Sequence, residues 1–466
     1  MYILGMVLFV LLSWASGAEA ACSPLTGLSS TCPAGSTSSD LQAAINGLSD
    51  GATITFAAGS HSWSSWTQFS TTKGVTIICI SQGACNVTTS GTILGINGFS
   101  VVNSKLLRVS GFNFTTSNTG SGMFWFDAFN PGTYHATVSS VRIDHNTFNI
   151  TQAGGTVFFC GDTQSNTYCY GVLDHNTING SDAAILAFWI GQQDATPPAS
   201  PSGTANNLFM EDNTLTVAHL SATSVPCMTD AWGGAGFVMR YNTVTNCLVP
   251  VHGIDHGGGP ANWEVYGNHF IHNAGLPSSL GVDDGYRMVH HQGSGEMIAF
   301  NNTFKPKSTT HNASVLSGTA NYVDTVCSGR PYPCSHQPGR DFAGNLRPLY
   351  GWNNRFTDTG GIVNLVAEAS TTFVAPNRDI FIEPTSFNGT VGVGFGTLAN
   401  RNTTCTSGVG YFATNQGAQG TLYRCSATNT WVEHYQPYTY PHPLVGGGGG
   451  GGDITAPSAP ENVRVN

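Results

Sequence analysis

Apolar and polar positions alternate along this chain in short bursts that close on asparagine. The clearest copies are VRIDHNTFNI at Asn146, GVLDHNTING at Asn176, LFMEDNTLTV at Asn213, FVMRYNTVTN at Asn242, WEVYGNHFIH at Asn268, MIAFNNTFKP at Asn302 and LYGWNNRFTD at Asn354. A fainter copy, LLRVSGFNFTT, falls at Asn113. Period-2 alternation over four or five residues predicts strands, and recurrence at uneven intervals predicts the coils of a solenoid with loops of variable length at one corner. Ile143, Leu173, Met210, Met239, Val265, Ala299 and Leu349 or Gly351 then point inward at similar heights, and stacking the coils removes these columns from water. The closing asparagine is expected to tolerate the left-handed bend and to hydrogen-bond along the axis in a ladder.

The segment DLQAAINGL, from Asp40 to Leu48, has Leu41, Ala44, Ile45 and Leu48 on one helical face and is followed by GATITFAAGSH. It predicts a short helix that lids the open end of the solenoid. The capping helix, the strand after it and the asparagine-closed coils together resemble right-handed parallel β-helix proteins of the pectate-lyase-like superfamily, over residues 38 to 400. The resemblance implies an all-β, right-handed parallel β-helix and a polysaccharide partner. It is carried by architecture and repeat, not by a catalytic signature.

Composition narrows the functional classes. Charged residues make up 9% of 466, with 16 Lys+Arg against 26 Asp+Glu. That excludes a mainly helical chain with long charged faces, and it leaves no basic stripe for nucleic acid. Residues 1–20 read as a signal peptide, with the apolar run Ile3 to Leu12 before Ala18-Glu19-Ala20; too few apolar residues run together for a transmembrane segment. Twelve cysteines fall into six sequential couples, Cys22/Cys32, Cys79/Cys85, Cys160/Cys169, Cys227/Cys247, Cys327/Cys334 and Cys405/Cys425. Local pairing and an oxidising, extracellular compartment are expected. The predicted organisation is a β-helix over 21–400, a disulfide-bridged β module over 401–445 ending in an aromatic, Pro-rich strap that seals the solenoid, a glycine linker at 446–452, and the start of a fibronectin type III module or a disordered tail at 453–466. A monomer is expected.

Two groups of residues carry candidate chemistry. Six of the fifteen histidines lie between His252 and His291, with Asp255, His256, Asp283, Asp284, Arg287, His290 and His291 in Gly-flanked phrases of the kind that bring backbone near a ligand. The second group comes from registering the repeats. Two positions before each ladder asparagine stand Asp144, Asp174, Glu211, Arg240, Tyr266, Phe300 and Trp352, expected as one outward column with strands about 4.8 Å apart. Its aromatics, Tyr266 and Trp352, with His291, are candidates to bind sugar. Asp144, Asp174 and Glu211 are candidates to hold calcium, an oxygen-seeking ion. For β-elimination on a uronic-acid glycan, Arg240, Arg287, His290 or His291 is the candidate base; for hydrolysis, Asp283, Asp284 and Asp255 are the carboxylates. Lyase chemistry leads. Glycoside hydrolysis on the same fold and a non-catalytic glycan-binding surface protein remain open at this stage.

Overall fold

The computed structural model describes residues 21–63, 73–89, 105–116, 136–151, 167–180, 202–217, 234–247, 260–272, 295–306, 327–334, 337–341, 343–366 and 372–446, with nine short strands between them. The expected signal peptide and the 453–466 segment lie outside these residues. The strands wind as a right-handed parallel β-helix, each coil passing from a first to a second to a third sheet. The first sheet has twelve strands, from Ser29–Cys32 to Ile380–Ile382, and the second has ten, from Gly59–Ser62 to Arg355–Phe356. The third has six, from Thr67–Gln68 to Cys227–Ala231, and two further parallel pairs extend that side of the coil: Val249–Val251 with Val289–His291, and Ser314–Leu316 with Asn364–Val366.

The inward columns stack as alternation requires. Ile143 pairs with Leu173, Leu173 with Met210, Met210 with Met239, Met239 with Val265, Val265 with Ala299, and Ala299 with Gly351. On the second sheet Phe114 stacks on Phe148 at 5.3 Å, and Phe270 on Phe304 at 5.1 Å. Helix Ser38–Gly47 closes the N-terminal end, buries Leu41, Ala44 and Ile45, and starts on a capping box between Thr37 and Asp40.

The corner between the first and second sheets is set by two adjacent residues. The asparagine forms a buried ladder: the Nδ2 of Asn146, Asn176, Asn213, Asn242, Asn268 and Asn302 each donates to the Oδ1 of the next asparagine, at 2.8–3.2 Å, ending at Asn354. The left-handed bend, expected at that asparagine, falls one residue earlier, on His145, His175, Asp212, Tyr241, Gly267, Asn301 and Asn353, with φ of 51–68°. One residue takes the left-handed turn and the next sends its amide into the buried ladder. At Gly267 a Cβ would stand 2.6 Å from the Tyr241 ring, so glycine fits there twice over. The faint copy is also displaced. Phe112, whose N–H donates to Asn146 Oδ1, holds the ladder position, and Asn113 donates outside to Asn86 on the second sheet.

Five of the six cysteine couples are bridged as expected, Cys22–Cys32, Cys79–Cys85, Cys160–Cys169, Cys327–Cys334 and Cys405–Cys425. The sixth, Cys227/Cys247, involves a side chain outside the described residues. The C-terminal β module is a four-stranded sheet, Val393–Gly396, Gly410–Ala413, Thr421–Ala427 and Thr430–Tyr435, so it begins several residues inside the span expected for the solenoid. From its last strand the chain runs on as a strap to the short helix Pro443–Gly446.

Candidate functional site

The outward column of the first sheet is in register as counted: Asp144 pairs with Asp174, then Glu211, Arg240, Tyr266, Phe300 and Trp352. It is not an open wall. All seven are buried, with Asp144, Asp174, Glu211 and Arg240 at 0% exposure. The C-terminal module and its strap lie over this face. A second apolar cluster, separate from the solenoid interior, joins Phe209, Val238, Ile298, Tyr350 and Trp352 to Phe412, Leu422 and Tyr435 of that module.

The strap and the last strand of the module are held by charged groups of this face and its corner. Arg240 donates from Nη1 to Tyr438 O at 2.7 Å and from Nη2 to Thr439 O at 2.9 Å. Its Nε donates to Glu211 Oε2 at 2.6 Å, and Nη1 also reaches Tyr266 Oη at 3.0 Å. The backbone N–H of His442 donates to the other Glu211 oxygen at 2.8 Å. Arg142 donates to Leu444 O and Val445 O, Tyr440 Oη to Asp212, and Tyr435 Oη to Glu264. His434 Nε2 lies 2.6 Å from Glu296 Oε1. Burial pulls the Arg240 pKa down, but Tyr266 and Glu211 more than reverse it, so the guanidinium stays charged. Burial, then the charges of Arg240 and Arg142, pushes His442 down to about 3.

The calcium expectation for Asp144, Asp174 and Glu211 does not fit this donor set. Arg108 grips Asp144 with Nε at 2.8 Å and Nη2 at 2.6 Å, and Ser110 Oγ adds a bond at 2.9 Å. Arg142 grips Asp174 in the same bidentate way, at 3.1 and 3.0 Å. Burial raises the Asp144 carboxyl, and the hydrogen bonds from Arg108 and His145 with the charges of Arg142 and Arg108 outweigh it, holding the pKa far below the usual carboxylate range. Ligand atoms of Asp144, His145 and Asp174 do approach within 4.8 Å of one another. A divalent ion there would have to displace guanidinium groups that already balance the charge.

Two residues the sequence reading passed over stand at the edge of this column. His145 and His175 stack at 4.9 Å and 3°, each with Nδ1 on its preceding aspartate, at 2.9 and 3.0 Å. The doubled phrase D-H-N-T, at 144–147 and 174–177, was the signal available. The hydrogen bond that His175 Nδ1 donates to Asp174 raises the His175 pKa above the ordinary value, against an opposing effect of burial.

The third sheet carries the other group. Asp255, His256, Asp283, Asp284 and Arg287 lie outside the described residues, and so do the side chains of His290 and His291. Backbone pairing nevertheless places those two histidines on strand Val289–His291, with His290 opposite Pro250 and His291 opposite Val251. Asp255 and His256 follow the partner strand by a few residues, and Asp283 to Arg287 precede Val289. Backbone pairing on the third sheet also forms one continuous row: Trp125 pairs with Phe159, Phe159 with Trp189, and Trp189 with Asp230. The second sheet, by contrast, shows small polar residues outward over its middle coils, such as Thr147, Asn149, Thr177, Asn179, Thr214 and Thr216.

No family model matches the chain, and no curated protein matches it. Among solved structures the chain is similar to the crystal structure of alginate lyase from Paenibacillus sp. str. FPU-7, at 14% identity and a TM-score of 0.35, over 63% of this chain and 99% of that one. At that level the likeness assigns neither chemistry nor residues to this chain. Among the described residues no helix is long and apolar enough to cross a membrane.

Proposed function

We propose that this is a secreted protein acting on a polysaccharide along the outer face of its third sheet, cleaving a uronic-acid glycan by β-elimination. The observation that carries the reading is the backbone row Trp125, Phe159, Trp189 and Asp230, on the side of the coil to which the segments bearing Asp255, His256, Asp283, Asp284, Arg287 and His290 attach. Aromatic residues at successive strands offer platforms to the apolar faces of sugar rings. The first-sheet wall is occupied by the strap, so Arg240, Tyr266 and Trp352 pass from candidate site residues to parts of a seal. The five disulfides support the extracellular setting.

In this reading Arg287 neutralises the uronate carboxylate, which acidifies the proton on the adjacent carbon. His290 takes that proton as general base. The electron pair forms a carbon–carbon double bond, and the glycosidic oxygen departs from the neighbouring carbon with its bond electrons. The test is incubation of the purified protein with a panel of acidic and neutral polysaccharides, following ultraviolet absorbance of the unsaturated end and reducing ends in parallel. Both signals should rise together on an acidic glycan. Reducing ends without absorbance would mean hydrolysis through carboxylates such as Asp283 and Asp284. Retention of glycan with neither signal would mean a binding protein.

A further inference from the structure

The outward face of the second sheet repeats one chemistry over six successive coils. The phrases are NVT at 86–88, NFT at 113–115, TFN at 147–149, TIN at 177–179, TLT at 214–216 and TVT at 243–245. Their middle residues, Val87, Phe114, Phe148, Ile178, Leu215 and Val244, are buried in the solenoid core, so the flanking Thr and Asn point outward. The strands pair in unbroken register, Asn86 with Asn113, Asn113 with Thr147, Thr147 with Thr177, Thr177 with Thr214 and Thr214 with Thr243. Two parallel files result, with steps of about 4.8 Å along the axis, about 6.6 Å from file to file, and a length of about 24 Å.

Thr and Asn make up about a fifth of the chain, yet they fill all twelve of these positions. Strand preference does not account for that, because Val, Ile and Tyr suit an outward strand position as well as Thr does. The array carries no charge, and the C-terminal module lies over the first sheet, not over this one. Its side chains are held in place. Asn113 donates to Asn86 at 2.7 Å, Asn149 to Asn113 at 2.9 Å and Asn179 to Asn149 at 3.1 Å, and threonine is stiff at χ1. The eight threonine hydroxyls have no protein partner among the described residues.

A flat, uncharged array offers little to a small molecule or to a single glycan chain, which need a concave site or aromatic platforms. One hydroxyl–water bond only replaces another and contributes little by itself. The array gains where the ligand is itself a rigid surface of similar repeat, because all positions then engage together. In water the uncharged surface of that kind is ice, whose prism face repeats its oxygen rows at close to the strand spacing. We propose that the second sheet binds the surface of ice crystals through these two files. Hydroxyls and amides hydrogen-bond to lattice waters, and the threonine methyls rest in the hollows between oxygen rows. The site lies apart from the third sheet and does not depend on the reading of that face.

The test compares the whole chain at micromolar concentration with Thr214→Tyr and Thr177→Lys, both at outward positions near the middle of the array. Thr428→Tyr, at an exposed turn of the C-terminal module, is the control. The readouts are the shape of a single ice crystal growing in supercooled solution, partition of the protein into slowly grown ice, and the urea midpoint. Wild type and Thr428→Tyr should facet the crystal and enter the ice. Thr214→Tyr and Thr177→Lys should lose both effects, with all four proteins equally stable. Round crystals and exclusion from ice with wild type, or undiminished faceting by both array variants, would overturn the proposal. So would retention on crystalline cellulose that Thr214→Tyr abolishes, without any effect on ice, since the array would then serve an ordered glycan surface.

Discussion

Arg240 separates a catalytic from a sealing role most sharply, and Arg240→Met is the perturbation that decides between them. Methionine keeps much of the aliphatic length but removes every bond the guanidinium makes to Glu211, Tyr266, Tyr438 and Thr439. Breaking a buried ion pair by deleting one partner costs about 3–5 kcal/mol, because the remaining charge stays buried. Losing the two bonds to strap carbonyls adds about 1 kcal/mol each. A total near 5–7 kcal/mol is comparable with the whole stability of many domains, so the strap should undock before the coils separate. Limited proteolysis with mass analysis should find new cuts between residues 436 and 446, and the urea midpoint should fall. Pairing the change with Glu211→Gln removes the orphaned charge and should recover part of the loss. An unchanged urea midpoint and a protected strap, accompanied by abolished polysaccharide cleavage, would refute the sealing role and return Arg240 to the chemistry.

Three further outcomes test the same structure elsewhere. Asn213→Ala deletes four ladder bonds, two accepted from Asn176 and one each donated to Leu173 O and Asn242; unfolding should show a loss of about 3–5 kcal/mol, from several buried groups left unpaired, against under about 0.5 kcal/mol for exposed Asn179→Ala. Burial raises Glu264 to about 7, against bonds from Tyr435 and Gly203. The folded state therefore holds a proton that the unfolded state releases near pH 4.5, and this group costs stability as pH rises from about 4.5 to 7, by about 3 kcal/mol in full. His442, held neutral when folded, works the other way as pH falls below 6.5, so the quantity to measure is the pH slope of wild type minus that of Glu264→Gln, which should be negative across that window. Replacing both Cys405 and Cys425 with alanine opens a loop of sequence separation 20 and should cost the C-terminal module about 3 kcal/mol in chemical denaturation.

The solenoid was legible in the sequence because its evidence is local. Each coil repeats the same alternation, and counting from the asparagines placed Ile143 over Leu173 and Asp144 over Asp174 in the observed register. What the count could not reveal is what lies against an outward row. Arg240 meets Tyr438 and Thr439 from about 200 residues downstream, and no period in the repeat encodes that contact. The aromatic strap was expected as a terminal seal, whereas it lies along the outward face of the first sheet, where Arg240 and Arg142 donate to its carbonyls. The same limit explains the bend. Alternation marks where a strand stops, whereas the choice between His145 and Asn146 for the left-handed residue depends on which side chain the ladder needs inside. The third-sheet row was equally hidden, since Trp125, Phe159, Trp189 and Asp230 share no phrase and come together only through strand pairing.

The most direct measurement is the affinity and cleavage of the best polysaccharide from the panel for wild type, Trp189→Ala and His290→Ala, with unfolding midpoints recorded for each. The expected result is binding weakened about three- to tenfold by Trp189→Ala, as loss of one aromatic platform of about 0.5–1.5 kcal/mol would give. His290→Ala should bind normally and fail to form the unsaturated product, with all three proteins equally stable. Undiminished binding in Trp189→Ala together with full cleavage by His290→Ala would contradict the assignment of the third sheet as the working face.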